Sequence, residues 1–230
     1  MNLYNQDCMT AMKDMPDKAY ELAIVDPPYF SGPERRTFYG NRISSIGVTR
    51  VYKKSPFWQP PEIEYFTELQ RVSMSYIFWG RNYFNFPFHS GTIVWDKCNE
   101  SSSFSDCELA ATDLMDHVRV FRFMWSGMLQ GESIKNGSKM QGNKKLNEKR
   151  IHPTQKPVAL YCWLLQKFAR TGYKILDTHL GSGSIAIACD IMGYDLEGYE
   201  IDKEYFEAAK ARLEQHQRQG KIFEMPVAEK

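Results

Sequence analysis

The chain is poor in cysteine, and its five cysteines follow no pairing pattern. Cys8, Cys98, Cys107, Cys162 and Cys189 include no Cys-x-x-Cys spacing. An odd count without that spacing argues against a zinc ribbon or a disulfide scaffold, and it predicts a reducing, cytoplasmic setting. The opening MNLYNQDCMTAMKDMPDKAY lacks a basic start followed by an apolar core, so no signal peptide is expected. No apolar run is long enough to span a bilayer, so no membrane partner is expected. Internal repeats are absent. Net charge is also nearly absent, at +1 over 230 residues, so the molecule as a whole is not a polycation.

What is present suffices for one folded unit. The chain is 43% hydrophobic and 14% aromatic, and its length predicts a single domain over residues 1–230. The charge is unevenly placed. Residues 119–150 carry eight Lys or Arg against two Glu, and residues 31–58 carry six against one. Two basic segments on a neutral chain are either solvated loops or a footprint for a polyanion.

Hydrophobic periodicity places the elements. ELAIVD (21–26) reads as a buried strand, and SYIFWG (75–80), GTIVWDK (91–97) and YKILD (173–177) read likewise. EIEYFTELQRVS (62–73) has helical spacing, with Ile63, Phe66 and Leu69 on one face. PVALYCWLLQKFAR (157–170) is an amphipathic helix, with Pro157 suited to its first turn. HVRVFRFMW alternates as a strand does. Residues 126–150 are rich in Gly, Asn, Ser and Lys and read as a mobile loop or small insert. YDLEGYEID (194–202) is a strand, and KEYFEAAKARLEQHQ is an amphipathic helix. Strands alternating with helices predict an α/β fold with a parallel sheet covered on both faces.

Two stretches carry chemistry. In LDTHLGSGSIAIA, Gly181-x-Gly183-x-x-Ala186 opens a helix after a strand. The glycines let a ligand approach the backbone, and the helix start offers free N–H donors. Glu200 follows Gly181 by 19 residues, at the end of the next strand. There a carboxylate can accept hydrogen bonds from both hydroxyls of a ribose. The glycine pattern alone does not separate a dinucleotide from another adenosine ligand.

The second stretch is Asp26-Pro27-Pro28-Tyr29. Proline fixes φ and biases the preceding residue toward extended geometry. Two in succession give a rigid exit in which Asp26, the Pro27 carbonyl and Tyr29 face one pocket. Two acceptors can take both protons of an exocyclic amine, and Tyr29 can stack on the ring that carries it. The alternative for this stretch alone is a stiff turn with an exposed acid.

Taken together, these motifs resemble the DNA amino-methyltransferases that use S-adenosylmethionine, in their permuted (beta) arrangement. DPPY resembles the family's catalytic motif, in the Asp form that goes with adenine N6; the cytosine-N4 branch usually carries Ser in place of Asp. HPTQKP (152–157) resembles the motif preceding the cofactor half, LDTHLGSGS the glycine loop, and GYEID (198–202) the ribose acid. NQDCMTAMKDMPDKAYELAIVDPPY resembles the family's opening, and WDK (95–97) and FSDCELAAT (104–112) are further similar segments. The likeness runs over nearly the whole chain. His179 departs from it, since an aromatic usually stands there.

The resemblance implies a Rossmann-like methyltransferase fold. Its doubly wound sheet would be mostly parallel with an antiparallel edge strand, and residues 126–151 would form a short target-recognition insert. It implies S-adenosylmethionine as cofactor, DNA as partner, a homodimer as one assembly, and no metal. Asp26, Pro27, Pro28 and Tyr29 would be catalytic. Gly181, Gly183 and the run His152, Thr154, Gln155, Lys156 would hold the methionine part, with Asp26, Asp177, His179 and Ser182 also at the cofactor. Glu200 would take the ribose, and Asp7 with Ile201 the adenine. Arg35, Arg36, Arg42, Lys53, Lys54, Lys135, Lys139, Lys144 and Lys145 would meet phosphates. Activity on cytosine N4, RNA or a protein glutamine amide is the alternative within the class. A silent DNA-binding relative is a rival outside it. A nicotinamide-dependent dehydrogenase would leave DPPY and HPTQKP unexplained.

Overall fold

The computed structural model describes residues 1–30, 52, 55–99, 105–126 and 129–223. The strands are β1 (Asn2–Tyr4), β2 (Tyr20–Val25), β3 (Ser73–Trp79), β4 (Gly91–Asp96), β5 (Cys107–Thr112), β6 (Val118–Arg122), β7 (Trp125–Ser126), β8 (Leu129–Gln130), β9 (Lys174–Asp177) and β10 (Asp195–Tyr199). The α-helices are α1 (Cys8–Asp14), α2 (Ile63–Val72), α3 (Val158–Phe168), α4 (Ser184–Met192) and α5 (Lys203–Phe223).

Successive side chains of β2 enter opposite cores. Leu22 and Ile24 pack with residues of α3, α4 and α5 on one face. Ala23 and Val25 pack with residues of α1 and α2 on the other. A strand covered on both faces must be apolar at consecutive positions, which is why ELAIV does not alternate.

Among the described residues the main sheet runs β1-β10-β9-β2-β3-β5-β4-β6. The mostly parallel, doubly wound arrangement is as expected. Its antiparallel strand, expected at an edge, is β5, which pairs antiparallel with both β3 and β4. The reason is local. The consecutive strands β4 and β5 pair with each other, and Thr92 N–H donates to His117 O (3.1 Å) where the chain turns toward β6. β6 then adds parallel to the outer side of β4 and becomes the edge.

The neighbours β2 and β9 decide where a ligand can sit. They pair in parallel at Leu22–Ile175 and Ala23–Leu176. From β9 the order continues through β10 to β1, and from β2 it continues the opposite way through β3. The chain diverges there, and a crevice opens beyond the two strand C-termini.

Three further details differ from the sequence reading. β1 was not expected, because three residues with no apolar run leave no periodic signal; it is specified by parallel pairing with β10. Ile63, expected on the packed face of α2, is 59% exposed, because the packed stripe begins with Tyr65 and Phe66. Of the mobile loop or small insert read over 126–150, the described part holds local structure: it pairs β7 with β8, bridges Gly131 to Met140 and closes a 3-10 turn at Lys144–Leu146. Among the described residues no helix is long and apolar enough to cross a membrane.

Candidate active site

A cleft of about 600 Å³, open to solvent, lies beyond the ends of β2 and β9. Asp26, Pro27, Pro28, Tyr29 and Phe30 line one wall, and His179, Gly181, Glu200, Ile201 and Tyr205 another. Ser55, Phe57, Trp58, His152 and Thr154 also line it. The two stretches singled out in the sequence therefore meet, although some 150 residues separate them.

Asp26 is held tightly. Tyr29 Oη donates to its Oδ1 (2.5 Å), and the Lys156 ammonium contacts the same oxygen. Lys156 Nζ also reaches Tyr29 Oη (3.1 Å) and Glu108 Oε2 (3.0 Å). Lys97 closes the chain on Glu108 Oε1 (2.5 Å). Burial pushes the Asp26 carboxyl above its ordinary value; Lys156 opposes that shift, and Glu108 adds to it. Burial also acts upward on Glu108, but the two ammonium groups outweigh it and hold Glu108 at about 2. Burial works against the charge on Lys156, and its two carboxylate partners overcome it and raise its pKa.

Tyr29 is seated from below. Tyr83 stacks on its ring at 4.8 Å and 11°, and Phe84 meets it edge-on. Burial and the adjacent Asp26 charge keep the phenol protonated, with its pKa well above the usual value.

The glycine loop is built as the sequence required. Gly181 and Gly183 have φ of +53° and +69°, a left-handed region that favours glycine. A side chain at Gly181 would find ordinary room beside His152, so the dihedral demands glycine there, not space. At Gly183 a Cβ would also press Ala209 of α5 at 3.1 Å. Glu200 accepts from Gly181 N–H (2.8 Å) and Asp202 N–H (2.9 Å), one bond to each oxygen. Burial raises its pKa, and these two N–H donors oppose the rise.

His152 stacks on Trp58 (5.2 Å, 14°) and meets Tyr205 edge-on (4.4 Å). Burial pushes its pKa down to about 3, so the ring is neutral. His179 accepts or donates at Thr178 Oγ1 (2.9 Å), and burial lowers it to about 4. Trp58 Nε1 is buried with no hydrogen-bond partner among the described residues.

Other residues expected at the cofactor lie outside the cleft wall. Asp7 caps α1, accepting from Thr10 N–H (2.8 Å). Gln155 is buried and braces its own segment, accepting from Ile151 N–H (2.9 Å). Ser182 shares a hydrogen bond with Ser184 (3.0 Å). Asp177 lies beneath the loop, accepting from His179 N–H (3.0 Å). Lys156 turns toward Asp26. Lys135, Lys139, Lys144 and Lys145 are exposed, and Lys139 pairs with Glu132 (3.2 Å). Arg35, Arg36, Arg42, Lys53 and Lys54 lie outside the described residues.

The sequence reading missed Glu108 and Tyr205 as parts of the site. It also missed Glu148 and Arg212. Arg212 Nη2 donates to Glu148 Oε2 (2.7 Å), and Nη1 donates to Ser182 O and Ser184 Oγ (both 2.9 Å). Glu148 Oε1 in turn accepts from Val158 N–H (2.9 Å) at the start of α3. One half-buried pair thus ties the insert, α3, the glycine loop and α5 together. A lone acid inside the apolar strand CELAAT was a usable signal for Glu108, since a buried carboxylate requires a cation.

A doubly wound sheet with this cleft at its switch point is the Rossmann-like methyltransferase architecture. Residues 55–211 match the model of a family described as DNA methylase, and the chain belongs to that family. It is 24% identical over 234 residues to the type II methyltransferase M.HpaI of Haemophilus parainfluenzae, covering 90% of this chain and 72% of that one. It is 24% identical over 240 residues to M.HinfI of Haemophilus influenzae, covering 90% of this chain and 66% of that one. Among solved structures it resembles M1.HpyAVI in its SAM complex, with a TM-score of 0.55 and 19% identity over 92% of this chain and 98% of that one. It also resembles the cytosine-N4-specific PvuII DNA methyltransferase, with a TM-score of 0.52 and 12% identity over 94% of this chain and 89% of that one.

Proposed function

We propose that the protein transfers a methyl group from S-adenosylmethionine to N6 of adenine in DNA. The observation that carries this reading is the convergence of Asp26 and Tyr29 with Gly181 and Glu200 on one cleft. The residues present fit the cofactor. A left-handed glycine loop exposes backbone, Glu200 offers carboxylate lone pairs beside Gly181 N–H, and His152, Thr154 and Tyr205 wall the space between. When bound, S-adenosylmethionine supplies an electrophilic methyl on a sulfonium.

The chain's own residues prepare the amine. An adenine amine is a weak nucleophile because its lone pair is delocalised into the ring. Both internal contacts of Asp26 fall on Oδ1, so Oδ2 is offered to one amine hydrogen, and the Pro27 carbonyl takes the other. Together they draw the nitrogen toward tetrahedral geometry and free the lone pair. Tyr83 stacks on one face of Tyr29, and the base would stack on the other. The base must leave the duplex to reach this pocket, at a cost of a few kcal/mol.

Adenine is favoured by Asp in place of Ser before the two prolines. Cytosine N4 is the second reading, supported by the likeness to PvuII methyltransferase. Labelled methyl transfer to DNA followed by nucleoside analysis tests both. Label in N6-methyladenine is expected; label in N4-methylcytosine selects the second reading, and label in 5-methylcytosine or protein overturns the proposal. Asp26→Ala should abolish turnover while leaving cofactor binding nearly intact.

A further inference from the structure

We infer that Glu108 is a positioning residue for this chemistry, sharing Lys156 so that Asp26 is held in place yet keeps its capacity as an acceptor. The inference rests on the function proposed above for Asp26, and it starts from where the Lys156 ammonium is placed. The side chain of Lys156 is 2% exposed. The rings of Tyr29 and Trp79 flank its Nζ at 5.4 and 5.5 Å. Its partners are Asp26, Tyr29 and Glu108, and two of these are acids.

A buried ammonium with one carboxylate forms a closed ion pair. The carboxylate's charge is then committed to the cation and is a weaker acceptor for anything else. A second carboxylate on the same ammonium divides that commitment. Glu108 occupies this second position, delivered by the antiparallel strand β5 beside β3. Lys97 then balances Glu108, so the four largely desolvated charges sum to zero. Asp26 is thereby fixed in place by Lys156 without losing its capacity to accept an amine hydrogen. Tyr29 is fixed by the same ammonium.

The groups facing Asp26 from the elements packed around it are Lys156, Glu108, Tyr29, Asp177 on β9, Tyr161 on α3 and Tyr65 on α2. Only Lys156 among these is cationic. Removing the Glu108 charge therefore strengthens the positive field at Asp26, and removing the Lys156 charge abolishes it. A role in packing alone would not move Asp26 in opposite directions.

The test uses Glu108→Gln and Lys156→Met in the full chain, with two readouts. The first is the pH profile of kcat for methyl transfer to DNA. The second is the titration of the Asp26 carboxyl by carbon NMR, assigned with Asp26→Asn, which requires no turnover. In Glu108→Gln the Asp26 midpoint and the acid limb should move to lower pH. The kcat plateau should fall about tenfold, less than the loss from removing a group that touches the reacting atoms. KM for S-adenosylmethionine should stay within about twofold, since ground-state cofactor binding is untouched. In Lys156→Met the midpoint should move to higher pH. Lys97→Met, farther from the cleft, should raise the midpoint slightly and serves if Glu108→Gln does not fold. An unmoved Asp26 midpoint in Glu108→Gln, or shifts of one sign in both main variants, overturns the inference. If the wild type methylates no DNA, the functional reading fails, and the NMR midpoints still decide the role of Glu108.

Discussion

The Cβ that Gly80 lacks would lie 2.2 Å from Cε1 of Tyr29. The residue has φ of +84° and opens the short 3-10 turn Arg81–Tyr83. That turn carries Tyr83, whose ring stacks on Tyr29. A single turn after β3 therefore presses Tyr29 from below and leaves its hydroxyl on Asp26 Oδ1. The geometry of the DPPY stretch is set as much by this turn as by the two prolines.

Replacing Gly80 with Ala should push the ring out of its seat. A displacement of about 1 Å at a reacting group costs on the order of 100-fold in rate, so kcat should fall by that order. An L-residue at this dihedral adds about 1–2 kcal/mol of strain. Binding of S-adenosylmethionine, read by calorimetry, should hardly change, because the glycine loop is on the other wall. Full kcat in Gly80→Ala would show that Tyr29 needs no such seat.

Glu148 and Arg212 make the second long-range tie. This pair is half-buried, and breaking a fully buried ion pair from one side costs roughly 3 kcal/mol, which is the upper bound here. For a chain of this size that bound corresponds to a Tm loss of roughly 6–12 °C. Arg212→Met should show a loss within this bound and should also weaken cofactor binding, because Ser182 and Ser184 lose their donor. Glu148→Gln with Arg212→Met should cost less than the two single changes added together. Strict additivity in thermal melts would deny the coupling.

The sequence made the DPPY turn, the glycine loop and Glu200 legible because each is local. Dihedral demands, a helix start and a strand end leave their mark within a few neighbouring residues. The partners of those residues leave none. Glu108 meets Lys156 only because β5 inserts between β3 and β4, and Arg212 meets Glu148 only because α5 folds back over α4. As a string HPTQKP reads as one cofactor motif, yet the structure divides it. His152 and Thr154 face the cleft, Gln155 braces the loop, and Lys156 serves Asp26. Adjacent positions in an extended segment point different ways, which a motif read as a string does not express.

Buried titratable groups at the cleft give stability two opposing pH dependences. His152 and His179 are held near 3 and 4 by burial. Below about 6.5 the unfolded chain takes up protons that these folded rings refuse, so they lower stability as pH falls. Asp177 acts in the other direction. Burial raises it to about 8, so the folded state keeps a proton that the unfolded chain loses above about 4. Its stabilising contribution is lost as pH rises through that window. Asn in its place can still accept from His179 N–H. The Tm advantage of Asp177→Asn over the wild type should therefore grow from about pH 5 to about pH 8. His152→Phe, which keeps a flat ring on Trp58, should soften the loss on the acid side. Melts across the pH range read both, and a constant difference between Asp177→Asn and the wild type would mean that Asp177 is ionised in the folded protein.

The insert presents exposed lysines that DNA phosphates could meet. Lys144 and Lys145 are exposed on the 3-10 turn, whereas Lys139 is partly neutralised by Glu132. Each phosphate contact releases condensed counterions, and affinity for duplex DNA falls with salt at a slope of about 0.9 per contact. If both turn lysines meet phosphates, Lys144→Ala with Lys145→Ala should weaken DNA binding and reduce that slope by about 1.8. Lys139→Ala should change it less, because its charge is already shared. Cofactor affinity should not move in either variant, since these lysines lie outside the cleft wall. Fluorescence anisotropy with a labelled duplex across a salt series measures the slope. A slope equal to that of the wild type would take this turn out of the DNA interface.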